Sequence, residues 1–134
     1  MAKEAGAITV ALDDGAGTAK TISNDITSMD FATPRGVQDV TGVNKTSVER
    51  LLLLADFSAT LNGVFNDATD YSHAVLKTVP STSTTRLITI TASGQVLAVE
   101  TLVTDYALTK AITGELAWRA PCVGQGTTDP PTWA

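Results

Sequence analysis

One histidine, His73, and one cysteine, Cys122, are the only side chains of their kind in a chain of 134 residues. His73 could serve a Ser-His-Asp triad, since serine and aspartate are plentiful, but nothing in the sequence marks a nucleophile elbow. The plainer reading puts His73 in the first turn of a short helix. One His and one Cys do not make a zinc site of protein ligands. Cys122 has no partner for an internal disulfide and reads as a small, buried apolar residue, which fits a reducing, cytoplasmic origin. The segment Gly15–Thr21, GAGTAKT, has the look of a phosphate loop. A P-loop aligned on Lys20 needs glycine at positions 14 and 19, which are Asp14 and Ala19, and the segment leads into a strand. Gly15 and Gly17 are therefore read as turn residues. Asp67 and Asp70, beside Asn66, lack the ligand spacing and closing glutamate of a calcium loop. Asn44-Lys45-Thr46 matches a glycosylation sequon, but Glu4 and Gly6 break any N-terminal signal segment, so the triplet is read as the start of a helix. No catalytic residue, metal or cofactor is expected.

Composition narrows the class further. The net charge is −5 and the basic residues are scattered, so there is no cluster of the kind that displaces counterions from nucleic acid. Apolar residues make up 43% of the chain and aromatics only 5%, which leaves Val, Ile, Leu and Ala to fill the core of one domain. No apolar run approaches the ~20 residues that cross a bilayer.

The elements that must organise such a chain centre on Asn44–Asn66, NKTSVERLLLLADFSATLNGVFN. Val48, Leu51, Leu52 and Ala55 recur at i, i+3, i+4 and i+7, and Thr46 and Glu49 have capping-box spacing; together they predict a short helix. After Asp56 the period becomes two. Phe57, Ala59, Leu61, Gly63 and Phe65 alternate with Ser58, Thr60, Asn62 and Val64, a half-buried strand with a polar face. Leu53 and Leu54 fall outside the first helical face; they widen the core stripe or meet a neighbouring subunit.

Elsewhere, Ala7–Leu12 alternates as a strand and Asp13–Thr18 turns. Lys20–Phe31 reads as one strand with Ser23, Asp25 and Thr27 on a shared face. Ala32–Val43 is an extended loop with Pro34, Gly36 and Gly42. Ser72–Val79 is a short helix with Ser72 as N-cap, stopped by Pro80. Arg86–Thr91 is a strand, Ala92–Gln95 a hairpin connection, and Val96–Thr109 a long strand, with or without a bulge. Glu115–Val123 alternates, and Pro121 predicts an edge strand. The tail ends in Trp133, which should find a surface. Short joins favour antiparallel pairing, so the expected fold is a β-sandwich or partly rolled barrel with one flanking helix and a second short helix.

Three stretches carry a resemblance to a known family: Ile22–Asn66, above all DVTG followed by ERLLLLADFSATLNG; Ser72–Arg86; and Leu97–Pro121, with the closing PTWA. The chain resembles the major tail tube proteins of long-tailed phages and of related gene transfer agents, over most of its length. The resemblance implies a structural subunit of a virion or phage-like tail, made in the host cytoplasm. Its hexameric rings would stack into a tube through which DNA passes. Implied partners are further copies of the chain, a tape measure protein, and terminator and baseplate proteins at the tube's ends. A polar channel surface is expected on two faces, Ser23/Asp25/Thr27 and Ser58/Thr60/Asn62. Contacts between subunits are expected from the N-terminal arm 1–6, the loop 32–43 and the tail 124–134, with Pro34, Arg35, Val37, Leu53, Leu54, Pro131 and Trp133 as contact residues. Two other readings compete: a virion decoration or adaptor module, and a small hydrolase using His73.

Overall fold

The computed structural model describes residues 8–125 and 131–133. They form ten strands and one short helix: β1 (Ile8–Asp13), β2 (Ala19–Thr21), β3 (Ile26–Ala32), β4 (Arg35–Asp39), β5 (Arg50–Ala55), β6 (Ser58–Val64), α1 (Ser72–Leu76), β7 (Arg86–Ala92), β8 (Gln95–Val103), β9 (Ala107–Lys110) and β10 (Leu116–Gly124). A 3-10 turn over Ser23–Asp25 precedes β3. Eight strands build one antiparallel sheet in the order β2-β1-β7-β8-β10-β6-β3, with β9 also paired to β10; β4 and β5 pair with each other. The class is mainly antiparallel β, as the alternating segments predict.

Alternation decides what goes inside. Val10 and Leu12 of β1, Ile88 and Ile90 of β7, Leu97 of β8, Ala59 and Leu61 of β6, and Trp118, Ala120 and Cys122 of β10 form one buried cluster with Val75 and Leu76 of α1. One face of a flat sheet, covered by a five-residue helix, could not bury all of these. The sheet therefore rolls over its own inner face. Trp133 helps to close the roll: it makes an antiparallel bridge to Leu97 of β8, and its ring lies 6.1 Å from that of Phe31 in β3.

Turn chemistry sets several of the joins. Ser93 and Gly94, both at positive φ, make the tight connection expected between β7 and β8. Asp14 caps the β1–β2 turn, its Oδ1 accepting the amides of Ala16 and Thr18 at 2.9 and 3.0 Å. That turn contains Gly15 and Gly17 and leads into β2, so GAGTAKT is a hairpin turn.

Seven expectations are corrected. The helix predicted over 46–55 is strand β5, and the predicted loop 32–43 contains its partner β4. The Thr46/Glu49 box does not form, because the Glu49 amide donates across the hairpin to Oγ1 of Thr41 at 2.9 Å. The single strand over 20–31 is broken by the 3-10 turn at Ser23–Asp25. The long strand over 96–109 is divided into β8 and β9. Ser72 is the first helical residue rather than the N-cap, which is Tyr71. Finally, Pro121 lies on a strand paired on both sides. It is tolerated because its carbonyl, accepting from Thr104 N at 3.0 Å, points at the gap between β8 and β9. Its amide position faces the same gap, where no ladder bond is required.

Candidate assembly surface

The hairpin of β4 and β5 grows directly out of the sheet. Ala32 stands opposite Ser58 at the end of the β3–β6 ladder, and Arg35 stands opposite Ala55 three residues further along each strand. The Arg35–Ala55 pair continues the β3–β6 register, and the Asp56 amide donating to the Pro34 carbonyl at 2.9 Å bridges the junction; beyond it, between Arg35 and Val37, the register slips by one residue. Residues 26–64 are thus one two-stranded ribbon. Its inner half is the end of the sheet; its outer half leaves the body.

Sequence chemistry changes along this ribbon. In the inner half, Phe57, Ala59 and Leu61 point into the core while Ser58, Thr60 and Asn62 point away from it. In the outer half the alternation disappears. Val37 and Leu52, paired in register, share one face; Leu54, at the register slip between Ala55 and Leu52, is 91% exposed. Leu51 and Leu53 occupy the other face, and both are exposed. Gly36 is where Leu53 crosses the ribbon: a Cβ added there would meet Leu53 Cδ1 at 3.2 Å. Arg35 fixes this root, its Nε donating to the Leu53 carbonyl at 2.9 Å. Pro34 and Arg35 therefore sit at the base of the ribbon, and Val37, Leu53 and Leu54 on its apolar flanks. Pro131 and Trp133 lie on the returning tail; Pro131 lines the groove at the root of the ribbon. The expected contact segment 1–6 and residues 126–130 and 134 of the tail lie outside the described residues.

The two polar faces expected to act together do not share one surface. Asp25 is 2% exposed, and its carboxylate accepts from Asn66 Nδ2 and the Ser72 amide, both at 3.0 Å. A side chain held inside in this way does not face a channel. Thr27 is the extra residue of a bulge between Ile26 and Ser28, and its hydroxyl donates to the Asn62 carbonyl at 3.3 Å. A one-residue bulge reverses the parity of everything before it. The β3 residues aligned with Asn62 and Thr60 are therefore Ser28 and Asp30, and Ser23 stays behind in the 3-10 turn. The bulge carries no sequence signature; Asp25 in a polar run was the available sign of a turn.

The residues singled out for chemistry have structural partners. His73 Nδ1 and the Tyr106 hydroxyl share a hydrogen bond of 3.2 Å, and the His73 ring lies 4.6 Å from that of Phe65. Burial raises the Tyr106 pKa. Cys122 is buried, and desolvation pushes its thiol up to about 11. Asp70 pairs with Lys20 at 2.9 Å. Among the described residues no three metal-ligating side chains come together, and no helix is long and apolar enough to cross a membrane. Arg86 is buried and, among the described residues, in no ion pair. It donates to the Val75 carbonyl at 2.6 Å, to Thr78 Oγ1 at 2.8 Å and to the Asp13 carbonyl at 3.2 Å, tying α1 to the end of β1. Desolvation lowers its pKa.

The fold is similar to two chains in solved particles. One, from the virion of a native gene transfer agent particle, is 14% identical with a TM-score of 0.77. The other, from the tail of an empty gene transfer agent particle with C6 symmetry, is 18% identical with the same TM-score. Each likeness covers 99% of both chains. No family model and no curated protein matches the chain.

Proposed function

We propose that this chain is a structural, non-enzymatic subunit of a phage-like tail, of the gene transfer agent kind, which assembles as hexameric rings stacked into a tube around a channel for DNA. The observation that carries the reading is the likeness of the whole fold to a chain from a C6-symmetric tail, over 99% of both. The exposed apolar ribbon supports it, because a monomer that displays Val37, Leu51, Leu52, Leu53 and Leu54 to water has a surface suited to a partner.

The channel surface in this reading is the outer face of the inner ribbon: Ser28 and Asp30 of β3 with Ser58, Thr60 and Asn62 of β6. It offers hydroxyls, an amide and one carboxylate. Six-fold repetition of such a face gives no ring of cations to hold phosphates, so DNA can slide. A tape measure protein would fill the channel during assembly, and terminator and baseplate proteins would close its ends.

Electron microscopy of the purified chain tests the proposal. Hollow tubes or stacked six-fold rings are expected. Dispersed monomers across protein concentration and salt would overturn it in favour of a decoration or adaptor module.

A further inference from the structure

Four rings form a chain of contacts that leads out of the core. Trp118 of β10 is 2% exposed. Its ring centroid lies 6.2 Å from that of Tyr106, and the Tyr106 centroid lies 5.9 Å from that of His73. Phe65 stands against His73 at 4.6 Å. Tyr106 is half-buried, and with His73, Lys77, Thr104 and Asp105 it lines an open pocket of about 280 Å³. One end of the chain is therefore inside the protein, and the other meets solvent.

The groups along it differ in where a proton can go. Trp118 Nε1 donates to the Val64 carbonyl at 2.8 Å, and a carbonyl oxygen accepts a hydrogen bond without taking the proton. Cys122, on the same inward face of β10, donates to the Ala120 carbonyl at 3.9 Å, which is no better a base. Of the three, Tyr106 alone faces a base: its hydroxyl lies 3.2 Å from His73 Nδ1. With the proton of the neutral imidazole on Nε2, Nδ1 is the acceptor. Imidazole is also the side chain suited to take up a proton near neutral pH. A phenol gives up an electron readily where its proton has a base to receive it.

We infer that Tyr106 and His73 form an exit for one-electron oxidation of the core. When a one-electron oxidant has removed an electron from Trp118, Tyr106 supplies an electron to the indole radical cation and its phenolic proton passes to His73 Nδ1. One O–H bond breaks and one N–H bond forms. The products are neutral Trp118, a neutral Tyr106 phenoxyl radical and a His73 imidazolium. A small reductant of the ascorbate class, entering the pocket, then supplies one electron to the phenoxyl while the imidazolium returns the proton. The protein is left as it began, with the oxidising equivalent delivered to solvent rather than held beside Cys122.

The full chain with Trp133→Phe tests this, because Trp118 is then the one indole left of two. An ultraviolet flash ejects an electron from the indole, dioxygen takes that electron up, and transient absorption follows the indole and phenoxyl radicals. The indole signal should decay as the phenoxyl signal grows, more slowly in deuterated water, and ascorbate should shorten the life of the phenoxyl. In the same background Y106F should abolish the growth and Y71F should leave it. H73Q keeps an acceptor for the phenol but no base, and should slow the growth by roughly 100-fold or more, the scale of a positioned base. A purely structural His73 would leave that rate unchanged. Circular dichroism and thermal melts check that each variant folds, and the isotope and ascorbate readings need none beyond Trp133→Phe. No phenoxyl in the parent, a phenoxyl that persists in Y106F, or growth as fast in H73Q as in the parent would overturn the inference. None of these readings depends on assembly, so the tube reading stands or falls separately.

Discussion

The carboxylate of Asp25 accepts the backbone amide of Ser72, 47 residues further along the chain, at 3.0 Å. Its other oxygen accepts from Asn66, so a single buried side chain caps α1 and anchors the turn after β6. Asp25→Ala strands a buried amide donor, which costs about 1–3 kcal/mol. At this chain length that lowers Tm by roughly 4–10 °C. A melt followed by circular dichroism below the assembly concentration checks this, and an unchanged Tm would mean the cap contributes nothing.

Gly63 faces the same carboxylate-bearing turn. A Cβ added there would run into the backbone carbonyl of Asp25, and would lie 2.6 Å from Cζ2 of Trp118. Trp118 cannot swing away, because its Nε1 donates to the Val64 carbonyl at 2.8 Å. Gly63→Ala is expected to destabilise by about 1–3 kcal/mol through overpacking. Denaturant unfolding followed by tryptophan fluorescence should show the lower midpoint.

Cys122 sits beneath the rolled sheet with its thiol pKa near 11. At pH 8 about one thiol in a thousand is ionised. A thiol reagent should therefore react with the unfolded chain and leave the folded one untouched for as long as it stays folded. The same shift has a sign for stability. The folded pKa lies above the unfolded one, so this contribution is intact below about pH 9 and is lost as pH rises toward 11. Rapid labelling of the native chain at pH 8 would contradict the burial.

Acid acts on the opposite end of the scale. The Asp14 pKa is lowered, first by the Thr18 amide, against the cost of desolvation, with the Ala16 amide and Lys20 adding to it. A depressed folded value means stability that is present above the ordinary carboxylate range and is lost as pH falls through the folded one. Asp14→Asn keeps an acceptor for the turn but removes the titration. The variant's melting temperature should therefore fall less than that of the parent between pH 5 and pH 2, expressed as approximate bounds of the carboxylate range. Parallel curves for the two would reject the assignment.

How much of this was legible depended on what covers each residue. Strands β1, β6, β7 and β10 were readable because one face is covered by the chain's own core and the other is not, and that difference writes a period of two into the sequence. The turn at Ser93 and Gly94 was readable because positive φ restricts residue choice. The hairpin was not. Four successive leucines satisfy a period of 3.6 as well as one of two, and a short apolar run does not choose between helix and strand. Both faces of β5 are exposed in the single chain, so no polar positions mark the alternation. The polar surface was half readable: Ser58, Thr60 and Asn62 stand where alternation put them, but their neighbours on β3 were misassigned by the bulge at Thr27. Asp25 was misread because a carboxylate in a polar stretch looks like a solvent group until its two donors, one of them 47 residues away, are in place.

Because the Arg35–Ala55 pair continues the β3–β6 register, the ribbon is tied to the sheet at its root and its reach is set by its length. From Arg35 to Val43 it can extend by about 26 Å at ~3.3 Å per residue, close to the ~28 Å that twice the radius of gyration gives a compact chain of this size. Adding two residues to each strand at the root, beside Arg35 and Ala55, would lengthen that reach by roughly 7 Å and keep every side chain on its face; adding one to each would turn the outer leucines over. Variation in length at the root should therefore come in even steps.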